Sequence, residues 1–332
     1  MNAALSHTGL IEATAPPESR GLQRDEVRLL VTDRASGSHT HAAFYEFADF
    51  LQSGDLVVVN DSATVAAAVL ARRESGAAIA LHVSTMIDQR TWITEPRGAV
   101  SCGEELSLPE GGSAVTIAPI DPARPRLWYT RFELPQSMFA YLESAGEPIR
   151  YGYVKQRFPL RDYQTMFARE PGSSEMPSAG RPFTVRVVRT LRTKGVEIAA
   201  ITLHCGVASF EAPERPGMER FSVPRATAER VNAARRRGGR VIAIGTTVVR
   251  ALESAIGADG VIAASGWTDL VIDERHRVQT ADALLTGFHD GNATHIWMLR
   301  AFLDRALLDS AYDEAAQERY RYHEFGDVHL IL

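Results

Sequence analysis

The sequence predicts an α/β protein: a mostly parallel-sheet core interrupted by a small antiparallel β-barrel-like domain. Three observations carry this. Short apolar runs at 55–60, 197–203 and 241–244 end in small or polar residues and alternate with helix-like periods, as in parallel α/β units. Between about 67 and 150 that texture gives way to short β-like runs separated by Gly and Pro signals. With 332 residues and 45% hydrophobic content, the chain can bury one large core or two modest ones. The predicted organisation is an α/β core from residues 1–66 and 151–332, with 67–150 as the inserted β-rich domain.

Taken in order, residues 1–25 contain Pro16-Pro17 and scattered charge, and read as an extended arm leading to a strand at 27–32. A helical apolar period at 44–51 is stopped by Ser53-Gly54, and the strand 55–60 ends at Asn60-Asp61. In the inserted region, strands are expected at 78–85, 91–94, 114–120 and 127–132, with a short closing helix at 139–144. The α/β pattern resumes after Tyr163. A helix at 184–194 stops at Gly195, and the strand 197–203 runs into His204-Cys205-Gly206. A helix at 226–237 ends at Gly238-Gly239 and feeds the strand at 241–244. Gly245-Thr246-Thr247 then opens a helix carrying Arg250 and Glu253. The last third is expected to hold a strand at 270–272 and helices at 294–307 and 312–320. Right-handed crossovers between parallel strands should gather the polar strand ends into one crevice.

Bulk properties narrow the function classes. A net charge of -5 gives no global basic field, so contact with nucleic acid would need a local patch. Cys102 and Cys205 lie far apart, which suits a reducing cytoplasm and gives no C-x-x-C metal signature. No apolar run reaches the roughly 18 residues needed to span a bilayer, so no membrane partner is expected. The Gly245-Thr246-Thr247 turn offers free N–H groups and hydroxyls to an anionic or polar ligand, or simply caps a helix. His204, at the lip of a strand, is placed as a general base or as a structural histidine bonded to backbone.

Several segments occur together in a telling order. They are Asn60-Asp61-Ser62, Asp162-Tyr-Gln-Thr165, Thr202-Leu-His-Cys-Gly-Val-Ala-Ser-Phe210, Gly245-Thr-Thr-x-x-Arg-Ala-Leu-Glu-Ser254, Leu284-Leu-Thr-Gly-Phe-His289 and Tyr320-Arg-Tyr-His-Glu-Phe-Gly-Asp327. The set resembles the S-adenosylmethionine:tRNA ribosyltransferase-isomerase family, whose enzymes make the epoxide precursor of queuosine in tRNA. The resemblance implies S-adenosylmethionine as a substrate, a 7-aminomethyl-7-deazaguanine base in tRNA as acceptor, release of adenine and methionine, and no metal. It implies His204 and His289 as catalytic residues, His204 being the first candidate base. Asn60, Asp61, Tyr163, Gln164, Thr246, Thr247, Arg250, Glu253 and Asp327 are implied as substrate-binding residues.

The chain also departs from the family pattern. Ala63 and Ala68 stand where the family has arginines, and Arg181-Pro182 replaces Leu-His. Pro216-Gly217 falls on a Met-His pair, although Glu219 is kept. Gly287 replaces an asparagine, and Tyr320-Arg-Tyr-His-Glu-Phe-Gly-Asp327 resembles the family's closing Tyr-Arg-Phe-x-Ser-Tyr-Gly-Asp. These changes leave two further readings open: use of S-adenosylmethionine on a different, small-molecule acceptor, or noncatalytic nucleoside binding. Release of adenine and methionine separates the last from the other two.

Overall fold

The computed structural model describes residues 9–123, 125–207 and 217–332. Its main element is a nine-stranded mixed sheet. The strand order is Ala264–Thr268, Glu219–Val223, Glu197–Leu203, Leu56–Asn60, Val241–Ile244, Ala283–Gly287, Val328–Ile331, Arg28–Thr32 and His39–Ala43. The four central strands, from Glu197–Leu203 to Ala283–Gly287, run parallel. Val328–Ile331 reverses the direction, Arg28–Thr32 runs parallel to it, and the outermost pairings are antiparallel.

The centre is parallel because its strands are apolar on both faces. Every residue of Leu56–Asn60 and Val241–Ile244 is buried, which requires helices above and below. Alternate side chains supply the two faces. Leu56, Val58 and Ala243 pack with the helices Arg225–Arg236, Thr246–Glu253, His295–Phe302 and Arg305–Gln317. Val57, Val59 and Ile242 pack with the helix Val185–Thr193 and the turn Phe44–Phe50.

The inserted β structure is a closed antiparallel barrel of six strands. These are Ala68–Arg73, Ala78–Met86, Thr91–Pro96, Glu105–Ser107, Ser113–Pro119 and Trp128–Glu133. Val69, Ala71, Leu81, Val83, Trp92, Ala114 and Phe132 form its core, together with Met138, Tyr141 and Leu142 from the helix Met138–Ala145. Closure leaves no free sheet edge. The α/β class and the barrel-like insertion both agree with the sequence reading.

Some elements differ from expectation. Residues 270–272 form no strand; Ala264–Thr268 and Ala283–Gly287 do. The backbone near Leu270 instead serves a side chain, since its carbonyl accepts from Arg250 Nε at 3.0 Å. The expected helix at 294–307 stops at Phe302. Asp304 accepts from Leu307 N at 2.9 Å and caps a new helix, Arg305–Gln317, which absorbs the start of the segment expected at 312–320. The apolar period continues across that break, so only the capping residue marks it. The 44–51 period forms a 3₁₀ helix, Phe44–Phe50, with Phe44 and Phe47 stacked at 5.3 Å, since i and i+3 eclipse in that geometry. No helix among the described residues is long and apolar enough to cross a membrane.

Candidate active site

The four parallel strands end on one edge, at Leu203, Asn60, Ile244 and Gly287. Asn60 latches its own strand end to Leu203 and to the start of the helix Thr246–Glu253. Its Nδ2 donates to the Leu203 carbonyl at 2.8 Å and to Thr247 Oγ1 at 3.3 Å, and its Oδ1 accepts from Leu203 N at 3.0 Å. Gly245 joins the strand Val241–Ile244 directly to the helix Thr246–Glu253 with φ +96°, a left-handed conformation that favours glycine.

Above this edge lies a cavity of about 210 Å³. Its floor is the helix start, Gly245-Thr246-Thr247, with Thr286, Gly287 and His289 at the end of the neighbouring strand. Its walls come from the 148–153 and 174–179 segments, from Tyr163, from His295 and Trp297, and from His323-Glu324. Parallel strand ends place chemistry at such a crevice because each strand delivers its next residue to the same side.

Two imidazoles face the cavity as a pair. His289 shares a hydrogen bond with Thr286 Oγ1 through Nε2 at 2.9 Å, and its ring stacks on His295 at 4.2 Å and 1°. Burial pushes His289 well below the ordinary histidine range and His295 down to about 4. A proton on His295 or His323 would further disfavour one on His289, and Arg250 disfavours one on His295. Both rings are therefore neutral near pH 7, and a neutral imidazole can accept a proton. His323, likewise lowered to about 4 by burial, stacks on Tyr153 at 3.8 Å. Its own φ is +74°, unusual for a residue other than glycine.

Acidic groups complete the lining. Tyr151 donates its hydroxyl to Glu175, and Tyr153 donates to Glu324. Arg250 also borders the cavity, but its guanidinium is paired with Glu219 and donates to the carbonyls of Leu270, Gly217 and Thr268 at 3.0, 3.2 and 3.2 Å. Among the described residues, no group of three or more His, Cys, Asp or Glu is arranged to hold a metal ion.

Of the residues singled out in the sequence, Tyr163, Thr246, Thr247, Arg250 and His289 line the cavity. The others do not line it. His204 shares a hydrogen bond with Ser62 Oγ at 2.8 Å and packs against Gly172, where an added Cβ would come within 2.5 Å of its Nδ1. Its neighbour Cys205 is the residue that reaches the cavity. Asp61 accepts from Thr202 Oγ1 at 2.7 Å. Gln164 pairs its amide with the backbone N–H and carbonyl of Thr64 at 3.0 and 2.7 Å. Glu253 accepts from Gln279 N, Thr280 N, Thr280 Oγ1 and His276, fixing the 276–280 segment. Asp327 accepts from the backbone of Arg28 at 2.8 Å and Arg321 at 2.7 Å.

Sequence reasoning did not single out Thr64, Tyr153, Glu175, His295, His323 or Glu324, all of which line the cavity. His295 sits one helical start after His289, and only folding stacks the two. Positions 208–210 of the motif that begins at Thr202, and Pro216, lie outside the described residues.

Comparison with known proteins decides the family. A model described as "Queuosine biosynthesis protein" matches residues 9–331. An S-adenosylmethionine:tRNA ribosyltransferase-isomerase of Moorella thermoacetica is 39% identical, covering 93% of this chain and 94% of the relative. Proteins of the same description from Geobacter sulfurreducens and Thermus thermophilus are each 35% identical, covering 94% and 96% of this chain and 94% and 97% of their own lengths. The chain belongs to the S-adenosylmethionine:tRNA ribosyltransferase-isomerase family. A crystal structure of an S-adenosylmethionine tRNA ribosyltransferase from Thermotoga maritima is similar at a TM-score of 0.56 and 29% identity, covering 98% of this chain and 100% of that one.

Within this family one departure has a plain structural account. Arg181 is buried, bonded to both Glu18 oxygens at 2.9 and 3.2 Å, with its guanidinium 5.1 Å from the centre of the Phe325 ring. It holds the N-terminal segment to the C-terminal motif and does not border the cavity.

Proposed function

We propose that this chain transfers and isomerises the ribosyl group of S-adenosylmethionine onto a 7-aminomethyl-7-deazaguanine base in tRNA, giving epoxyqueuosine with release of adenine and methionine. The observation that carries the reading is the cavity at the parallel strand ends, in a chain similar to these enzymes over nearly its full length. We place the reaction in the cytoplasm, with S-adenosylmethionine as a substrate, no metal ion and no membrane partner. In this reading residues 1–66 and 151–332 carry the nucleoside site. Among the described residues of the inserted unit, 67–150, only Pro148 and Ile149 line the cavity.

The sulfonium of S-adenosylmethionine acidifies the adjacent ribose C5′ protons, so the first step needs a base in a water-poor site. His289 is our candidate. It is neutral, its ring is fixed by Thr286 and His295, and it borders the cavity. His204, hydrogen-bonded to Ser62 and not lining the cavity, would act by positioning the strand end that carries Cys205. The first turn of Thr246–Glu253 presents free N–H groups and the Thr246 and Thr247 hydroxyls, suited to the methionine carboxylate or a developing alkoxide. Aromatic side chains from Tyr151, Tyr153 and Trp297 offer faces for the two bases.

The test is incubation with S-adenosylmethionine and acceptor tRNA, followed by mass spectrometry. Stoichiometric adenine and methionine with a modified base is the expected outcome. Unchanged S-adenosylmethionine in the presence of acceptor tRNA would defeat the reading.

A further inference from the structure

We propose that the end of the cavity formed by Glu324, Tyr163 and Thr64 is a subsite for a primary ammonium group, with Glu324 as counter-ion and Tyr153 holding that carboxylate in place. The inference rests on the reaction proposed above, in which two molecules carry such a group: the acceptor base through its aminomethyl substituent, and S-adenosylmethionine through its α-amino group.

The charge balance of the cavity favours a cation. Arg250 is the one arginine among the described lining residues, which include no lysine, and Glu219 already neutralises it. Glu324 also lines the cavity, where it accepts the Tyr153 hydroxyl. A carboxylate that accepts one hydroxyl still has acceptor sites to spare. Arg181 acts on Glu324 from a distance, but is bonded to Glu18. Burial raises the Glu324 carboxyl above its ordinary range, and an ammonium beside it would restore the ionised form.

An independent observation points to a ligand at the same end. Tyr163 and Thr64 are each only 4% exposed, both line the cavity, and neither hydroxyl has a hydrogen-bond partner among the described residues. Buried polar atoms in native structures are nearly always satisfied, so two unpartnered hydroxyls lining the cavity call for a polar ligand. The two are held together locally. Gln164, next to Tyr163, clamps the Thr64 backbone through both amide atoms. Tyr163 packs on Phe325 at 5.1 Å, and Phe325 follows Glu324 in the chain. Tyr153, stacked on His323, adds an aromatic face of the kind that attracts cations. Glu324 stands where the family motif has serine, which could supply a hydrogen bond but no charge.

Calorimetric titration of the full chain with S-adenosylmethionine, and separately with free 7-aminomethyl-7-deazaguanine, tests the subsite without turnover. Glu324→Gln should weaken one of the two ligands by about 10–100-fold, as expected for loss of a charge-assisted bond, and leave the other within about threefold. The affected ligand identifies which ammonium the subsite takes. Tyr153→Phe should weaken the same ligand by a smaller factor. Unchanged affinity for both ligands, equal weakening of both, or a wild-type protein that binds neither would each overturn the proposal. If Glu324→Gln loses the cooperative melting of the wild type, Tyr153→Phe decides alone, and wild-type affinity in that variant overturns it. Parallel turnover separates this inference from the reaction itself. Adenine release by the wild type with normal binding by Glu324→Gln sinks only the subsite; Glu324-dependent binding with no adenine release sinks only the reaction.

Discussion

His289 and His295 are stacked, part-buried and neutral, and one of them carries the proposed chemistry. Replacing His289 with Ala should lower adenine release by about 10²–10⁴ while leaving S-adenosylmethionine affinity within a few-fold, because a general base contributes to the transition state and little to the ground state. His204→Ala should instead act through the wall it supports, changing KM and kcat together. If single-turnover kinetics gave the larger loss in kcat alone to His204→Ala, the roles of the two histidines would have to be exchanged. The depressed position of His289 also has a kinetic consequence. As the base it must be unprotonated, so kcat/KM should stay flat through pH 6.5, the ordinary histidine value, and decline only at lower pH. A midpoint at 6.5 would assign the limb to a histidine other than His289.

At the scale of elements, Asn60 organises the site without itself lining the cavity. It ties the end of Leu56–Asn60 to Leu203 and to Thr247, holding two strands and a helix start in register. Asn60→Ala leaves the Leu203 N–H and carbonyl without that buried partner, a loss of about 1–3 kcal/mol. The expected result is a lower Tm together with weaker S-adenosylmethionine binding. A variant with wild-type melting and binding would make the latch dispensable. The helix Arg305–Gln317 offers a contrast, because its Asp304 cap is remote from the cavity. Asp304→Ala should cost about 1 kcal/mol and leave turnover unchanged.

For the whole molecule, the buried histidines link stability to pH in one direction. His295 and His323 are lowered to about 4 and His329 to about 3, all by burial, while an unfolded histidine titrates near 6.5. Between those values the unfolded chain binds more protons, so stability is fully present above about pH 6.5 and is lost progressively as pH falls toward 4. Asp327 and Glu324 are raised and oppose this at the acid end of the window. Melting curves should therefore fall from pH 7 to pH 5, and a Tm that rises over that range would contradict the assignment. The acidic net charge of -5 bears on the acceptor. Binding of tRNA at low salt should be detectable and should weaken with a log–log slope set by a small number of phosphate contacts. Undetectable binding at low salt would leave a small-molecule acceptor as the better reading.

The sequence by itself determined the class of fold, the barrel insertion and the family, because each depends on local pattern. Runs such as Val241–Ile244 are apolar throughout, and motifs such as Gly245-Thr246-Thr247 set a turn by their own backbone preferences. It also singled out Tyr163, Thr246, Thr247, Arg250 and His289, all of which line the cavity. What it could not decide was which polar residues face the cavity and which are used to build its walls. Glu253 and Asp327 look like ligand residues in a motif, yet their oxygens accept backbone N–H groups from segments 26 residues or more away for Glu253, and 299 away for one bond of Asp327. Conversely, Glu324, His295 and Thr64 have no distinguishing spacing, and only packing turns them toward the same space. Burial and hydrogen-bond partners belong to the tertiary structure, because a polar side chain is free for a ligand only when no distant part of the chain has already satisfied it.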